Sequence, residues 1–199
     1  MDLELLVGRR RSVRDFDPSP IEEGLFLNCV NLATRSPNAG NSQGWHLVSW
    51  EGEETARYWD VALPRELRGG FAWPGLLRAP VLALVGTDPE AYLSRYSEPD
   101  KSATGWGGST AAWPAPYWTV DAAFATMTLM LLLEDRGLGT LFFAHAREAD
   151  LRREFGIPAH IVLLGVLATG RPADAPRRSG RSAGRARRRA DEIVHRERW

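Results

Sequence analysis

The sequence contains one cysteine and one lysine among its 199 residues. A single cysteine, Cys29, excludes an internal disulfide framework. Because Cys29 lies in an apolar run, we expect a small buried side chain and not a reactive thiol. The basic residues are otherwise all arginine, a preference to which we attach no function by itself.

A long apolar stretch and a net charge are also missing. The longest apolar run, residues 122–133, is too short to cross a bilayer. The first residues, MDLELLVGRRRS, lack the features of a signal peptide. The formal net charge is zero, so no overall field attracts nucleic acid or a membrane. We therefore expect a cytoplasmic protein that binds neither.

Charge is distributed unevenly along the chain. From Arg171 onward there are ten arginines and four acidic residues, so the first 170 residues are net acidic. This composition is typical of a disordered basic tail, and it also fits the electrostatic footprint of a nucleic-acid binder. A third interpretation is that the tail joins the arginines near the N-terminus at one phosphate.

Apolar residues at helical spacing predict several helices. DLELLVGRR is the first, with Asp2 as its N-cap. In SPIEEGLFLNCVNLATR, Ser19 is the N-cap, Pro20 takes the first helical position and Glu22 completes a capping box. DPEAYLSRY follows the cap Asp88, and READLRREFG is another helix. TVDAAFATMTLMLLLEDRG is apolar nearly all round, which places it in a core or an interface.

Other segments predict strands. HLVSW and HIVLLGVLATG have strand character, and APVLALVGT is continuous enough to be buried on both faces. LGTLFFAH is a strand or a turn. Because strands and helices are interleaved, we predict an α+β fold with helices on both sides of the sheet. The chain is treated as one domain, residues 1–199, with residues 171–189 an extended Arg-rich segment.

Residues 97–118 contain glycine, proline, serine and three tryptophans without clean periodicity. Long loops of this kind are often lids or binding segments. The segment is therefore a candidate substrate lid. Two interpretations remain for the aromatic side chains of this segment: they could stack on a flat acceptor, or they could close a small core. These side chains are Trp106, Trp113, Tyr117 and Trp118.

Three further stretches carry chemistry. GRRRSVRDF, residues 8–16, surrounds a serine hydroxyl with arginines, which suits a phosphate monoester and is equally typical of a solvated surface. SPNAGNSQG, residues 36–44, places nine small or polar residues at one bend, and its amides suit a planar heterocycle or a ribityl chain. GLGTLFFAH, residues 137–145, has glycines that permit close approach to the backbone, although a helix end that enters a strand explains them as well.

The order of these motifs resembles the FMN-dependent nitroreductase family. R-R-S-x-R-x-F comes first, and a helix ending in S-P-N-A-G-N-S-Q-x-W follows. D-x-x-x-A-x-x-x-L-x-x-L-x-x-x-x-G-L-G-T is next, and a basic stretch precedes EIVH. The resemblance covers almost the whole chain. It implies a central, mostly antiparallel sheet in an intertwined homodimer, with two FMN molecules in an interface that includes the long apolar helix.

The same resemblance implies roles for individual residues. The FMN phosphate and polar edge would be held by Arg10, Arg11, Ser12, Arg14, Arg185 and Arg187, with Arg188 as the register alternative. The partner subunit would contribute Pro37, Asn38, Ala39, Asn41 and Gln43. The residues beside the isoalloxazine would be Phe142, Phe143, Ala144 and His145. Many relatives hold the flavin pyrimidine with an Asn or a Lys that the stretch RGGFAWPGLLR lacks. Arg68 or Arg78 are the substitutes that this stretch offers.

The implied chemistry belongs to the flavin. NAD(P)H would deliver hydride, and a nitroaromatic, a quinone or a similar flat acceptor would take two electrons. Hydride transfer needs no side-chain acid or base, so we predict no catalytic residue and no metal; His46 and His145 are the nearest titratable groups. The alternatives are a specialised flavin-dependent dehydrogenase of a biosynthetic pathway, a flavin-fragmenting enzyme, and a flavin-storage protein with little turnover.

Overall fold

The computed structural model describes residues 2–174 and 184–199. Its helices are α1 (Leu3–Arg9), α2 (Leu25–Ala33), α3 (Thr55–Ala62), α4 (Pro89–Tyr96), α5 (Tyr117–Asp135) and α6 (Glu148–Phe155). Its strands are β1 (Trp45–Glu51), β2 (Val81–Thr87), β3 (Gly139–Phe143) and β4 (Val162–Gly170). Short 3₁₀ turns connect several of these elements.

The four strands form one antiparallel sheet in the order β1-β2-β4-β3. The strands β2 and β4 are central, and β1 and β3 are the two edges. Every residue of β2 is buried, which confirms that this strand is covered on both faces. The register places Trp45, at the start of β1, and Phe143, at the end of β3, at the same end of the sheet.

Helices cover both faces of the sheet, as predicted. On one face, Leu82, Leu84 and Val166 belong to a core cluster with Tyr58 and Trp59 of α3. On the other face, side chains of β2 and β4 pack with residues of α2 and α5; this second cluster includes Val81, Ala83, Val85, Leu167, Cys29, Leu129 and Leu133. Cys29 is a buried side chain, as expected.

Two of the predicted helix caps are confirmed. The Asp2 carboxylate accepts hydrogen bonds from the backbone N–H groups of Glu4 and Leu5, at 2.9 and 3.2 Å. The Asp88 carboxylate accepts one from Glu90, at 2.8 Å. Both carboxylates satisfy N–H groups that a helix leaves unpaired at its first turn.

The predicted start of the second helix is wrong. The helix begins at Leu25 and not behind Ser19. Gly24, at φ +74°, has a left-handed conformation that separates α2 from the preceding residues. Ser19 does not cap this helix, whose N-cap is Gly24, and its N–H donates instead to the Asp17 carboxylate at 2.7 Å. The Pro20 carbonyl is held from the other end of the chain by Arg171, at 3.2 Å.

The helix α5 is close to the predicted one and is longer at its start. It begins at Tyr117, where the prediction began at Thr119, and its last turn is followed by Gly137 at φ +77°. No helix in the described part of the chain combines the length and the apolar character needed to span a membrane. The helix α3 and the turns at 65–70 and 74–78 were not predicted.

Candidate functional site

The N-terminal basic segment lies along the free edge of β3. Ser12 forms a parallel bridge with Thr140, and the Val13 N–H donates to the Thr140 carbonyl at 2.9 Å. Further along, Phe16 pairs with Pro172, just beyond the end of β4. Backbone hydrogen bonds therefore fix the position of the arginines, and the guanidinium groups do not have to hold the segment in place.

Three arginines of this segment have no acidic partner. Among the residues that the structure describes, no carboxylate pairs with Arg10, Arg11 or Arg14. The Arg14 guanidinium lies over the ring of Trp73, 5.0 Å from its centroid. Guanidinium groups without counter-charges suit a phosphate, which accepts charge-assisted hydrogen bonds from such groups.

The four predicted residues of the segment do not all face one space. Arg11 and Val13 line a cavity of about 380 Å³ beside α1 and the end of α5, together with Glu134 and Gly137. Arg11 also donates to the Gly8 carbonyl at 2.6 Å. The cavity lining does not include Arg10, Ser12 or Arg14, as the alternation of side chains in an extended segment leads one to expect. These three residues are the better candidates for one shared anion.

The end of β3 presents one exposed ring and one partly buried ring. Phe142 is 41% exposed. The ring of Phe143 stacks on Trp59, with centroids 6.0 Å apart and planes 7° apart, and it packs against the core. Only the backbone of Phe143 is therefore suited to the predicted contact with a flat ligand, whereas the Phe142 side chain is accessible to one.

His145 is held by its own small network. Its Nε2 lies 3.1 Å from the Glu148 carboxylate, which accepts from the Arg152 guanidinium at 2.6 Å. The hydrogen bonds from His145 and Arg152 hold the pKa of Glu148 below its ordinary value. The His145 ring is thus fixed in orientation beside the end of β3.

The loop at residues 36–44 is held by α4 and α5 from behind. The Ala39 N–H donates to the Asp121 carboxylate at 2.7 Å, and Arg95 Nε donates to the Gly40 carbonyl at 2.8 Å. Asn41 and Gln43 have φ angles of +57° and +55°. Left-handed conformations at residues other than glycine are uncommon and occur often at functional sites.

The side chains of this loop divide into internal and outward groups. Asn38 is used internally, because its Oδ1 accepts from the Gln43 N–H at 3.0 Å. Ser42 donates to the Ala39 carbonyl at 2.7 Å. Asn41 and Gln43 are exposed, and they are the amides that the loop offers outward.

The loop and the remaining predicted residues lie on opposite edges of the sheet. The loop leads into β1, whereas Phe142 to His145 end the other edge strand, β3, with β4 and β2 between them. At the usual spacing of neighbouring strands the two edges are about 14 Å apart. One protomer therefore does not bring the two halves of the predicted site together across the sheet.

The C-terminal contacts stay a prediction. Arg185 and Arg187 are exposed, and in the described ranges no hydrogen bond or ion pair joins them to the N-terminal arginines. Arg188 pairs locally with Glu192, at 3.8 Å. The part of the Arg-rich segment at 175–183 lies outside the described residues.

The two arginines proposed for the flavin pyrimidine are already engaged. Arg68 donates to the Asp60 carboxylate at 2.6 Å and to the Leu63 carbonyl at 2.9 Å. Arg78 pairs with Asp15. Each guanidinium thus has a carboxylate partner that a ligand would have to share, and their role at the flavin pyrimidine stays a prediction.

The candidate lid contributes to a small aromatic core. Trp113 is 7% exposed and clusters with Tyr92 and Tyr96 of α4. Its ring lies edge-on to Tyr96, with centroids 4.6 Å apart, and its Nε1–H donates to the Trp106 carbonyl at 2.9 Å. For Trp113 the structure favours the core interpretation. Trp106, Tyr117 and Trp118 are partly buried against the same cluster.

The residues that hold the loop from behind were given no role by the sequence, although Asp121 is the first residue of the motif D-x-x-x-A. Asp121 is 6% exposed and also accepts from the Tyr92 hydroxyl, at 2.9 Å. The available signal was the isolation of Asp121, which is the one charged residue between Tyr117 and Leu133 in an otherwise apolar helix. A buried carboxylate needs hydrogen-bond partners, and these indicate what it holds.

Known proteins share this fold over nearly its whole length. A protein of Thermus thermophilus named NADH dehydrogenase is 27% identical over an aligned length of 193, and the match covers 87% of this chain and 88% of that protein. A protein of Exiguobacterium sibiricum, described as a nitroreductase and crystallised with FMN, matches with a TM-score of 0.72 at 20% identity, covering 98% and 97% of the two chains. A BluB-like flavoprotein of Clostridium difficile matches with a TM-score of 0.67 at 20% identity, covering 98% of each chain.

This chain thus shares its α+β fold, an antiparallel sheet between helices, with the nitroreductase crystallised with FMN and with the BluB-like flavoprotein. The model of the Nitroreductase family matches residues 7–171, which include every helix and strand from α2 to β4 and the end of α1. The chain belongs to the nitroreductase family, and it is an oxidoreductase.

Proposed function

We propose that this protein binds FMN between two copies of the chain and uses NAD(P)H to reduce nitroaromatic, quinone or similar flat acceptors. The observation that carries the proposal is the group of guanidinium groups without acidic partners, fixed at the start of the edge strand β3. Arg10, Ser12 and Arg14 suit a phosphate there. Phe142 and the backbone of residues 143–145, further along the same strand, suit the ring system.

A second copy would supply the other half of the site. In the described residues, thirteen large apolar side chains are exposed, and seven of them lie on α1, α2 and α5, including Leu27, Leu32, Phe124 and Met127. The helices α1 and α2 both pack on α5, so these side chains belong to one helical layer. An apolar surface of this kind on a small protein is typical of an interface. Its burial in a homodimer would allow the loop of one copy to reach the flavin of the other.

The chain's own residues would bind and position, while bound FMN would supply two-electron hydride chemistry. The arginines would offset the charge of the phosphate, and the amides of Asn41 and Gln43 would contact the cofactor from the partner subunit. No side chain of the site has to move a proton for hydride transfer, which is why we assign no catalytic residue.

The purified protein tests this function directly. We expect a yellow protein with flavin absorption, release of one FMN per protomer on denaturation, and oxidation of NADH or NADPH that is coupled to reduction of a nitroaromatic or a quinone such as menadione. Protein that stays colourless after incubation with FMN would contradict flavin binding. Protein that binds FMN but does not oxidise NADH or NADPH would contradict the oxidoreductase cycle and favour flavin storage.

A further inference from the structure

We propose that Asp121 is a positioning residue that, through the Ala39 N–H, fixes the flavin-facing loop of its own protomer against the flavin of the partner subunit. The inference rests on the proposed function and adds to it a residue on α5 that lies behind the loop. Asp121 itself would not touch the cofactor. It acts through the backbone of residues 38–43.

One oxygen of the Asp121 carboxylate, which belongs to α5, binds both the loop and α4. Oδ2 of Asp121 accepts both the Ala39 N–H, at 2.7 Å, and the Tyr92 hydroxyl, at 2.9 Å. The loop, α4 and α5 therefore meet at a single oxygen. Burial, together with the hydrogen bond to Asp121, raises the pKa of Tyr92 far above its ordinary value. The phenol thus remains a neutral donor at every working pH.

The charge of Asp121 has no cation to neutralise it in the part of the chain that the structure describes. A buried carboxylate without a cation is stabilised by the donors that point at it. Among the described residues, the Asp121 carboxylate accepts from the Ala39 N–H and the Tyr92 hydroxyl. The loop backbone is therefore held by a charge-assisted hydrogen bond, which is stronger than a neutral one.

The rest of the loop depends on that anchor. Ala39 opens the short 3₁₀ turn that carries Gly40 and Asn41, and the Ser42 side chain and N–H both donate back to the Ala39 carbonyl. The outward amides of Asn41 and Gln43 follow within four residues, both in left-handed conformations. Displacement of Ala39 would therefore change where both amides point.

Two substitutions remove the same hydrogen bond from opposite sides. Asp121→Ala removes the acceptor. Ala39→Pro removes the donor, and proline is tolerated at the first position of a helical turn; the preceding Asn38, at φ −144° and ψ 144°, already has the extended conformation that a following proline requires. We expect each variant to weaken FMN binding by at least about tenfold, the size of a lost hydrogen bond to a charged group.

Two further variants separate positioning from general stability. Asp121→Asn keeps an oxygen that can accept the Ala39 N–H in a neutral hydrogen bond, so it should bind FMN more tightly than Asp121→Ala and more weakly than wild type. The double variant of Ala39→Pro with Asp121→Ala should bind no more weakly than either single variant, because both remove one interaction. The proposal would be overturned if Asp121→Asn bound FMN no more tightly than Asp121→Ala, or if the losses were additive in the double variant.

A mixed dimer tests whether the loop serves the flavin of the partner. One copy carries Ala39→Pro, the other carries Arg10→Ala with Arg14→Ala, and different affinity tags allow the heterodimer to be purified. If the loop acts on the partner's flavin, one of the two sites has both halves intact, and the heterodimer binds one FMN with wild-type affinity. If the loop acts within its own protomer, both sites are damaged and no tight site remains, which would overturn the proposal.

The outcomes remain distinct from a failure of the proposed function. Wild-type protein that binds no FMN refutes the function itself. Wild-type protein that binds FMN while Ala39→Pro and Asp121→Ala bind it equally well refutes only the role of Asp121. Circular dichroism and the sedimentation of each variant establish that it is folded and dimeric before its FMN affinity is measured by flavin fluorescence.

Discussion

Gly44 lies so close to the ring of Tyr92 that a Cβ added to this glycine would come within 2.6 Å of the Tyr92 Cε2 and 2.8 Å of the Asp88 carbonyl oxygen. The second of these atoms belongs to the backbone and cannot turn away. The absence of a side chain at the end of the loop is therefore a packing requirement. It sets how closely β1 and the loop approach α4.

Gly44→Ala is expected to destabilise the protein by about 1–3 kcal/mol, the usual cost of forcing extra volume into a packed site. Gly8→Ala is the matched control, because a Cβ at Gly8 meets nothing within 4 Å and alanine suits the helix α1 better than glycine does. Urea denaturation of the two variants measures the difference. A Gly44→Ala variant as stable as Gly8→Ala would show that the loop moves away from Tyr92 at little cost.

The N-terminal arginines are expected to determine FMN affinity. Arg10→Ala and Arg14→Ala should each raise the dissociation constant for FMN by at least about tenfold, since each removes a charge-assisted contact to a phosphate. Arg65→Ala is the control, because Arg65 is 82% exposed and only pairs with Asp60 on the surface. Flavin fluorescence measures the affinity. Equal losses in all three variants would indicate a general effect of net charge and not a site.

Much of the fold could be predicted from local pattern, and much of the site could not. The continuous apolar run of β2 and the caps Asp2 and Asp88 are local signals, and they correctly predict a strand buried on both faces and the starts of two helices. The start of α2 was misread because Ser19, Pro20 and Glu22 match a cap pattern, while Gly24 and a contact from Arg171, far along the chain, decide the outcome. Long-range contacts of this kind leave no trace in the local pattern.

The site shows the same division. The bend at residues 36–44 and the arginines at 10–14 are the parts of the candidate site that the sequence predicts, because their composition is unusual. The residues that hold the bend, Asp121 and Tyr92, lie 82 and 53 positions from Ala39 and belong to other helices. The pairing of Arg68 and Arg78 with acidic residues was also invisible, since it depends on which carboxylates the fold brings near them.

Trp113 is expected to act as a core residue and not as part of a mobile lid. Trp113→Ala should destabilise the protein by about 3–5 kcal/mol, the range for truncation of a large buried aromatic side chain. Trp113→Phe should cost less, because it loses mainly the hydrogen bond to the Trp106 carbonyl. Trp199→Ala provides the control, since Trp199 is fully exposed. If the urea midpoint of unfolding is the same for Trp113→Ala and wild type, residues 97–118 do not pack as a core.

The network at His145 predicts a pH dependence of stability. The pKa of Glu148 is depressed in the folded protein, first by the hydrogen bond from His145 and then by that from Arg152. A depressed carboxyl pKa contributes stability that is fully present above the unfolded value, near 4.5, and that is lost as the pH falls through the lower folded value. Glu148→Gln should therefore be less stable than wild type at pH 7, and the difference should shrink below about pH 4.5.

The size of that effect is small, because the Glu148 side chain is 47% exposed. We expect less than about 1 kcal/mol at neutral pH. Glu154→Gln on the same helix is the control, since Glu154 is exposed and has no ion pair among the described residues. Chemical denaturation between pH 3 and pH 7 measures both differences. A Glu148→Gln deficit that persists unchanged in acid would mean that the carboxylate charge is not its source.

The apolar layer of α1, α2 and α5 predicts the oligomeric state. Phe124, on α5, and Leu67, in the turn at 65–70, are similarly exposed, at 48% and 56%, but only Phe124 lies in that layer. Phe124→Glu should dissociate the dimer, because an unpaired carboxylate buried in an apolar interface costs several kcal/mol, on the order of a thousandfold or more in association. Leu67→Glu should leave the dimer intact.

Sedimentation velocity distinguishes the outcomes, and loss of FMN together with the dimer in Phe124→Glu alone would tie the cofactor to the shared interface. A dimer that survives Phe124→Glu and dissociates with Leu67→Glu would place the interface on a different surface of the protein.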